Sequence, residues 1–344
     1  METRPTVSVI IPTHNRKDSL LHSLDSLSRQ TFPVDCYEVI VVDDGSTDGT
    51  EHLVWDAFPF LVRYYQQEEN TGATKARNTG ACYSSAEILV FMDDDIVATP
   101  GMLVYLVQKV SNFEQIIVLA TLVLRPDDTT NPFAVMYSSG AVFPRDTDNI
   151  KPAVYRGPGS DQDGCFVHFT KCQTGVLGIR RQDFHALGMF QDPTGGWPNW
   201  DDVDFGYRAH LQGFRLWRSH RAIAYHYDYS LESLESSCKR LERASRSAAR
   251  FFTRYPELAQ SLPSYHDKGP MSFSTDSPSL LRRKILRRLV SSPLSVAAMK
   301  QLTHVLEKYR PGLFLLVLLY RWIISAYMYK GYRRGLRELA EAKA

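Results

Sequence analysis

Three short apolar runs, each followed by polar residues, stand out in the first hundred positions. They are VSVIIP (7–12), YEVIVVDDG (37–45) and AEILVFMDDD (86–95). Short uninterrupted runs rich in Val and Ile are typical of strands buried on both faces. The segment 17–32, between the first two runs, repeats Leu at helical spacing. The pattern therefore predicts a strand, a helix and a second strand in succession.

Two more helices are predicted between the second and third runs. One follows GSTDGT (45–50), whose side chains are good helix caps, and the other is predicted over TKARNTGACYSS (74–85). Alternating strands and helices form an α/β fold, here a doubly wound, mostly parallel sheet flanked by helices. Ligands of such sheets bind beyond the carboxyl ends of the strands. All three runs end there in polar residues.

The second half of the chain changes character twice. Residues 116–230 mix Gly- and Pro-rich loops with strand-like segments and one helix that Gly213 closes. From 231 onwards a long helix with a basic face is followed by a polar segment, 263–280, which is typical of a linker. The sequence thus predicts a globular body over 1–230, with a break near 115, and a helical extension over 231–344.

The extension contains one long apolar stretch, GLFLLVLLYRWIISAYMY (312–329), with Arg321 as its only charge. Its length barely reaches what a bilayer span requires, and a charge near the centre of a span is unfavourable. The wider segment 281–334 is basic and apolar by turns. This pattern favours a helix lying on a membrane surface. A buried or subunit-interface helix and a true span are the alternatives, and the state of association is left open.

Charge is unevenly distributed, although the net charge of the 344 residues is only +2. Acidic clusters lie in the first 230 residues and basic runs in the last hundred, which favours an anionic partner for the extension. Nucleic acid is not expected as that partner, because the chain shows no nucleic-acid-binding signature. The five cysteines show no CxxC spacing and no signal peptide is visible, so a reducing, cytoplasmic location is expected.

The aspartates after the third run are the first candidate site. Asp93 and Asp95 are two residues apart, so on an extended strand end they point to one side and Asp94 to the other. Two carboxylates on one side suit Mg²⁺ or Mn²⁺, hard cations that also bind phosphates. A turn of solvated acids is the alternative. The cation is favoured because two other polar strand ends share this edge.

Polar residues that follow the second run and lie on the next helix suit a nucleotide. Asp43 and Asp44 can accept hydrogen bonds from a base or ribose, or cap a helix. Lys75 and Arg77 can contact a diphosphate or base, or lie on a solvated helix face. The chain has neither a GxGxxG sequence after the first strand nor a GxxxxGK[ST] sequence. Dinucleotide and P-loop sites are therefore not expected.

The sequence WPNWDDVDFGYR (197–208) is a second acidic site. Asp201 and Asp202 precede a helix, whose dipole favours carboxylates in the first turn. Trp197 and Trp200 can form an aromatic platform that stacks on a sugar ring and raises a carboxyl pKa by desolvation. A general base requires such a position. His226, at the end of a predicted strand, is either a structural histidine or a third metal ligand.

Taken together, the motifs VSVIIPTHNR, VVDDGSTDGT, NTGATKARNTG, FMDDD and WDDVDFGYR resemble those of family 2 glycosyltransferases. The resemblance covers about residues 5–230 and implies the Rossmann-like GT-A fold. It implies an inverting transferase that uses a nucleoside-diphosphate sugar, usually UDP-linked, with Mn²⁺ or Mg²⁺. It assigns 1–115 to nucleotide-sugar binding and 116–230 to acceptor binding.

The resemblance also assigns roles to individual residues. Residues expected to contact the donor are Pro12, Thr13, Asp43, Asp44, Lys75, Arg77, Asp93 and Asp94. The implied metal ligands are Asp95 and Asp93, the ends of the DXD motif, with Asp95 the direct ligand. His226 is a further candidate metal ligand, which the sequence pattern suggests independently of the resemblance. Asp44 matches the acid that binds the base, and Asp94 is assigned to the ribose.

The acceptor side of the family pattern falls on the second acidic site. Asp202 matches the catalytic base, and Asp201 stands where Glu is common. Trp197, Trp200, Thr174 and Gly175 are expected near the acceptor. Together with the basic extension, this predicts a saccharide or lipid-linked acceptor in polysaccharide or glycolipid assembly. The expected location is the inner face of the cell membrane.

Three other functions fit the sequence less well. A processive synthase is disfavoured because its QxxRW element is absent: the only RW, in LLYRWI, has Leu318 where Gln is required. A sugar-nucleotide pyrophosphorylase is disfavoured because PTHNRKDS is not its Gly-rich basic loop. A non-catalytic or regulatory sugar-nucleotide-binding protein is disfavoured by the intact acids.

Overall fold

The computed structural model describes residues 5–53, 55–124, 130–139, 141–142, 163–196, 199–228, 233–309 and 314–342. The strands within these ranges are β1 (Val7–Thr13), β2 (Tyr37–Asp43), β3 (Leu61–Gln66), β4 (Ile88–Met92), β5 (Ile96–Ala98), β6 (Ile116–Leu124), β7 (Gly164–Val167), β8 (Val176–Arg180) and β9 (Arg215–His226). The α-helices are α1 (Lys17–Ser28), α2 (Ala73–Tyr83), α3 (Met102–Asn112), α4 (Pro132–Ser138), α5 (Arg181–Ala186), α6 (Asp201–Leu211), α7 (Leu234–Arg254), α8 (Leu258–Ser261), α9 (Pro278–Val290), α10 (Pro293–Tyr309) and α11 (Phe314–Glu341).

The chain divides into two units. The first comprises Met1–Arg125, Asp146–Gln191 and Asp201–Tyr227, and it contains all the strands named above. The second comprises Pro126–Arg145, Asp192–Trp200 and Asp228–Ala344. The functional boundaries predicted at 115 and 230 stay predictions.

One mixed sheet forms the centre of the first unit, in the order β3-β2-β1-β4-β8-β6-β9-β5, with β7 also paired to β9. The half from β3 to β4 is parallel, as the sequence predicts. The other half is mixed, since β8 is antiparallel to both β4 and β6, and β5 and β7 are antiparallel to β9. The α/β class is confirmed. Local patterns in the sequence did not indicate the antiparallel pairs of the second half.

Both faces of this sheet are buried, because side chains alternate along each strand. On β1, Val7, Val9 and Ile11 pack into one core, and Ile10 packs into the core on the opposite face. Leucines of α1 fill the first core, and Phe205 of α6 lies in the second. The sheet therefore holds the ends of its strands rigidly.

The helix predicted after GSTDGT is wrong. The segment forms short 3₁₀ turns at Thr50–His52 and Trp55–Ala57 and then the edge strand β3. Gly49 has a left-handed backbone (φ 82°) immediately before the first turn, and Pro59 limits any helix that could follow. The alternating pattern of LVRYYQ suits an edge strand, which is only half buried.

The second unit has a core of its own. Val142 and residues of α4, α7 and α11 form it; the helix residues are Phe133, Cys238, Leu316, Tyr320, Ile323 and Ile324. The segment 263–280 is not the solvated linker that was predicted, since Tyr265 and Lys268 are buried. The ammonium of Lys268 lies 3.2 Å from Oδ1 of Asp267, an ion pair that makes its burial tolerable.

The apolar stretch that suggested a membrane helix forms the first half of α11. Many of its apolar side chains, among them Leu316, Tyr320 and Ile323, are buried within the second unit. No helix within the described residues combines the length and apolar character needed to cross a bilayer. The alternative of a buried helix accounts for these buried side chains of α11. Contact of the extension with a membrane surface stays a prediction.

Candidate active site

The polar ends of three neighbouring strands meet at one edge of the sheet. Thr13 of β1 lies opposite Asp43 of β2 in the parallel register, and β4 runs on the other side of β1. The Thr13 hydroxyl donates to Oδ2 of Asp94 at 2.8 Å. The predicted convergence of the strand ends is therefore confirmed. The aspartates after β4 lie against the end of β1.

The three aspartates form a turn, and this corrects their predicted division. Ile96 N donates to Asp93 O, so the strand alternation that would pair Asp93 with Asp95 ends at Met92. Instead, Arg16 bridges Asp94 and Asp95, with its Nη1 3.0 Å from an oxygen of each. Burial and the neighbouring Asp95 raise the pKa of Asp94 to about 6, although Arg16 lowers it.

Asp95 and His226 are the residues best placed for a metal. His226 lies opposite Ile96 in the antiparallel pair of β9 and β5, and its Nε2 is 3.3 Å from Oδ1 of Asp95. That oxygen is buried and has no hydrogen bond from any residue that the structure describes. A carboxylate oxygen and an imidazole so placed fit a divalent cation that takes further ligands from phosphate and water.

The predicted three-residue metal set is not assembled. Among the residues that the structure describes, no group of three or more His, Cys, Asp or Glu side chains could hold a metal ion. Asp93 is turned to Arg77, whose Nη2 is 2.6 Å from its Oδ1. The physical reason is the turn at 93–95, because it directs Asp93 to Arg77 and Asp95 to Arg16.

Arg77 links the two acidic sites. It is buried on α2, and it contacts Asp93 at 2.6 Å and Oδ2 of Asp201 at 3.5 Å. Burial lowers the pKa of Arg77, but the two carboxylates raise it overall, so the guanidinium stays charged. Thr74 donates to the same oxygen of Asp201 at 2.8 Å. Helix α2 thereby fixes the position of the second acidic site relative to the first.

Asp202 is the carboxylate with the properties of a base. It lies in the first turn of α6, where its Oδ1 accepts a hydrogen bond from Val203 N at 2.7 Å. Burial and the adjacent charge of Asp201 raise the pKa of Asp202 to about 7. A carboxylate with a pKa near neutrality combines a large ionised fraction with proton affinity. Asp201 is instead held by Arg77 and Thr74.

Asp43 and Asp44 hold the surrounding loops in the described structure. Asp43 accepts from Ser46 N at 2.7 Å and from the Tyr64 hydroxyl at 2.6 Å. Asp44 accepts from the backbone N–H groups of Thr71 and Gly72, both at 2.7 Å, just before α2 begins. Neither residue caps the predicted helix after GSTDGT, because that helix does not form. Their predicted contacts with a nucleotide stay predictions.

The remaining donor-side residues differ in exposure. Lys75 is exposed on α2, where its ammonium can reach a ligand, and Pro12 is buried within β1.

On the acceptor side, Gly175 O accepts a hydrogen bond from Asp93 N at 3.0 Å. A Cβ on Gly175 would lie 2.8 Å from the Cδ1 atom of Leu122, so the Leu122 side chain would have to move. Thr174, the preceding residue, is buried.

The tryptophan platform is described only in part. Trp197 lies outside the described residues. Trp200 belongs to the second unit, where its ring stacks on Phe251 at 4.7 Å and its indole N–H donates to Ala244 O. Trp200 and Asn199 both have left-handed backbones, with φ 80° and 75°. Such strain in non-glycine residues often accompanies functional sites.

Sequence reasoning missed two residues that organise this site. Arg16 was not predicted, because Pro12 and Thr13 were the only residues of the loop after the first run that were given a role. Its position directly beyond a buried strand, at the edge where ligands bind, was a usable signal. Thr74 carried no signal, because its bond to Asp201 joins residues far apart in the chain.

Comparison with known proteins agrees with the geometry. Residues 8–166 match the family model described as Glycosyl transferase family 2. This segment is a glycosyltransferase family 2 domain. The resemblance inferred from the motifs is thereby confirmed. The family 2 segment contains Arg16, Arg77 and the turn at 93–95, whereas Asp202 and His226 follow it.

Relatives of known name are similar over parts of the chain. Validoxylamine A glucosyltransferase of Streptomyces hygroscopicus subsp. jinggangensis is 29% identical over 228 residues, which cover 62% of this chain and 53% of the relative. Poly(ribitol-phosphate) beta-N-acetylglucosaminyltransferase TarP of Staphylococcus aureus is 42% identical over 91 residues, 26% of this chain and 28% of the relative. The chain spans about half the length of the validoxylamine A glucosyltransferases that it matches.

Two solved structures show the same fold. The mannosyltransferase PcManGT from Pyrobaculum calidifontis, in complex with GDP-Man and Mn²⁺, has a TM-score of 0.60 at 20% identity and covers 98% of this chain and 88% of its own. Residues 1–349 of S. aureus TarS, in complex with UDP-GlcNAc, have a TM-score of 0.50 at 16% identity, with 98% and 92% covered. The predicted GT-A fold is therefore confirmed.

Proposed function

We propose that the protein is an inverting glycosyltransferase that moves a sugar from a nucleoside-diphosphate sugar, UDP-linked, to a hydroxyl group of an acceptor. One observation carries the proposal. A carboxyl with a pKa near neutrality, Asp202, is joined through Asp201 and Arg77 to Asp93, which directly follows the buried strand β4 of the family 2 segment. Neither a pyrophosphorylase nor a non-catalytic binding protein is favoured by any feature of this site.

The chemistry assigned to these residues is a single displacement. Asp202 takes the proton of the acceptor hydroxyl, whose oxygen attacks the anomeric carbon of the donor. The bond from that carbon to the diphosphate breaks on the opposite face, which inverts the anomeric centre. Arg77 and Thr74 orient Asp201, and its negative charge in turn keeps Asp202 basic.

We assign a metal position to Asp95 and His226. Support comes from the buried Asp95 oxygen that lacks a hydrogen bond and from the imidazole 3.3 Å away. It also comes from the Mn²⁺ named in the PcManGT complex. A divalent cation bound there, Mn²⁺ or Mg²⁺, supplies positive charge that offsets the charge of the leaving diphosphate. Arg16, which bridges Asp94 and Asp95, is placed to contact the phosphates of the same diphosphate.

For the acceptor we propose a saccharide or lipid-linked saccharide, with the protein peripheral on the inner face of the cell membrane. The basic and apolar pattern of 281–334 supports this location. The name of TarP, a poly(ribitol-phosphate) beta-N-acetylglucosaminyltransferase, supports a polymeric acceptor.

The base is tested by Asp202→Asn. We expect turnover to fall about 10²–10⁴-fold, because an amide cannot accept the acceptor's proton, while donor affinity stays within a factor of about two. Asp25→Asn, which changes an exposed carboxylate of α1, is the control and should leave both quantities unchanged. Transfer is measured with the donor that binds most tightly. Turnover near that of the unchanged protein would show that Asp202 is not the base.

The metal position is tested by thermal unfolding with a panel of nucleotide sugars and Mn²⁺. A ligand at 100 times its Kd stabilises the folded state by about 2.7 kcal/mol, so the matching donor should raise Tm by several degrees. Asp95→Asn should abolish the part of this gain that depends on Mn²⁺. Asp163→Asn, at an exposed carboxylate far along the chain, should keep it. An equal Mn²⁺-dependent gain in Asp95→Asn would contradict the assignment.

A further inference from the structure

A cavity of about 500 Å³ lies between α9 and α11, and every residue that lines it belongs to the second unit. One side is formed by Arg283, Leu286 and Val290 of α9, and the other by Arg321 and Trp322 of α11. Sites for small organic ligands usually have volumes of about 300–1,000 Å³. None of the acidic-site residues takes part, so this cavity is separate from the proposed transferase chemistry.

Within the described part of the chain, two guanidinium groups of the cavity have no carboxylate partner. Arg287, on the wall, is paired with Asp267 at 2.9 Å. Arg283 is exposed and has no carboxylate partner among the residues that the structure describes. Arg321 donates to the backbone oxygens of Val142 and Ala141 at 2.6 and 2.8 Å, contacts that position the guanidinium but leave its charge in place.

Two apolar side chains of the wall are open to solvent. Leu286 is 51% exposed and Trp322 39% exposed, although both border a concave space where apolar groups are normally covered. The apolar surface continues along the helices with Leu289, 63% exposed, and Leu294, 85% exposed. Guanidinium groups beside uncovered Leu and Trp side chains are complementary to a ligand with an anionic head and a hydrocarbon tail.

We propose that this cavity binds an anionic amphiphile, the phosphate-headed lipid of an anionic membrane. Its phosphate accepts hydrogen bonds from Arg283 and Arg321, since a planar guanidinium matches phosphate oxygens. Its chain covers Leu286, Val290 and Trp322. A free phosphate would leave the apolar wall exposed, and an uncharged lipid would leave two guanidinium charges uncompensated. The proposal goes beyond glycosyl transfer and does not depend on it.

Two neighbouring pairs of side chains give matched variants. Arg282 and Arg283 are both exposed on α9, but only Arg283 lines the cavity. Leu286 and Leu289 are likewise both exposed, and only Leu286 lines it. Arg283→Glu and Leu286→Asp therefore test the cavity, while Arg282→Glu and Leu289→Asp carry the same change of charge beside it.

The probe is dihexanoyl phosphatidic acid below its micellar concentration, titrated into the full chain by calorimetry. We expect saturable binding that Arg283→Glu weakens about tenfold or more, as loss of charge-assisted hydrogen bonds implies. Leu286→Asp should weaken it similarly, while the two control variants change it less than about twofold. Vesicles of phosphatidylcholine should bind the protein only when they contain phosphatidic acid, and Arg283→Glu should reduce that binding.

Four outcomes would overturn the proposal. They are the absence of binding, equal losses in Arg282→Glu and Arg283→Glu, equal affinity for inorganic phosphate, and equal affinity for dihexanoyl phosphatidylcholine. The second would indicate diffuse surface charge, and the third a simple anion site. Donor binding is measured on the same samples, so failure of the cavity and failure of the transferase proposal are distinguished. All variants change exposed side chains, and their Tm values verify that each is folded.

Discussion

At the scale of single residues, two arginines of the site each contact two carboxylates. Arg16 offsets Asp94 and Asp95, and Arg77 offsets Asp93 and Asp201. Asp202 is the exception, because burial and its acidic neighbour raise its pKa to about 7. Arg77 lowers this pKa but does not cancel the effects of burial and of Asp201, so Asp202 retains affinity for a proton. The imbalance at Asp202 is what a general base requires.

This imbalance predicts the pH dependence of transfer. Asp202 must be ionised to accept a proton, so kcat/KM should rise with pH and level off above an apparent pKa near 7. Asp201→Asn removes the negative charge that raises this pKa, so the rising limb should move to lower pH. Rates measured between acidic and mildly alkaline pH provide the test.

Thr74→Val is the matched control for the pH profile. It removes the hydrogen bond to Asp201 but no charge, so the limb should stay close to its original position. A limb that does not move in Asp201→Asn would mean that another group sets the pH dependence.

At the scale of elements, two features depend on contacts that a linear pattern cannot show. The segment after GSTDGT becomes an edge strand, since β2 offers it a partner. Helix α11 approaches α7 closely, because Gly331 and Gly335 lie one turn apart on the facing side. A Cβ on either glycine would collide with a backbone oxygen of α7, at Glu242 or Arg246.

The close contact of α7 and α11 gives a prediction for stability. Gly331→Ala should lower the free energy of unfolding by about 1–3 kcal/mol, the usual effect of overpacking, because backbone atoms must move. Gly269→Ala, in the same unit, is the control, since a Cβ there meets nothing within 4 Å. Urea unfolding compares the two. Equal stability of both variants would show that the helices are not held at this distance.

At the scale of the whole molecule, the two units have separate cores. The first is organised on the sheet, and the second on α4, α7 and α11. The acidic site belongs to the first unit and the cavity between α9 and α11 to the second. Stability of the second core and donor binding in the first should therefore respond to different mutations.

Ile323→Ala tests this separation. Removal of a buried isoleucine side chain from the second core should destabilise the protein by about 2–5 kcal/mol. The Kd for the nucleotide sugar, measured well below the unfolding transition, should stay unchanged. Leu24→Ala, in the core beneath the sheet, is the comparison at a site of equal burial. A donor affinity lost with Ile323 would mean that the second core supports the site directly.

The sequence by itself determined the α/β class, the strands β1, β2 and β4, the family of the segment 8–166, and most of the acidic residues of the site. Continuous apolar runs, helical spacing and short motifs are local patterns, and each sets its own element. Only the tertiary structure decided which charges meet. The turn at 93–95 presents Asp94 and Asp95 to Arg16, and Arg77 joins Asp93 to Asp201. These contacts join residues far apart in the chain, and strand order and helix packing bring them together.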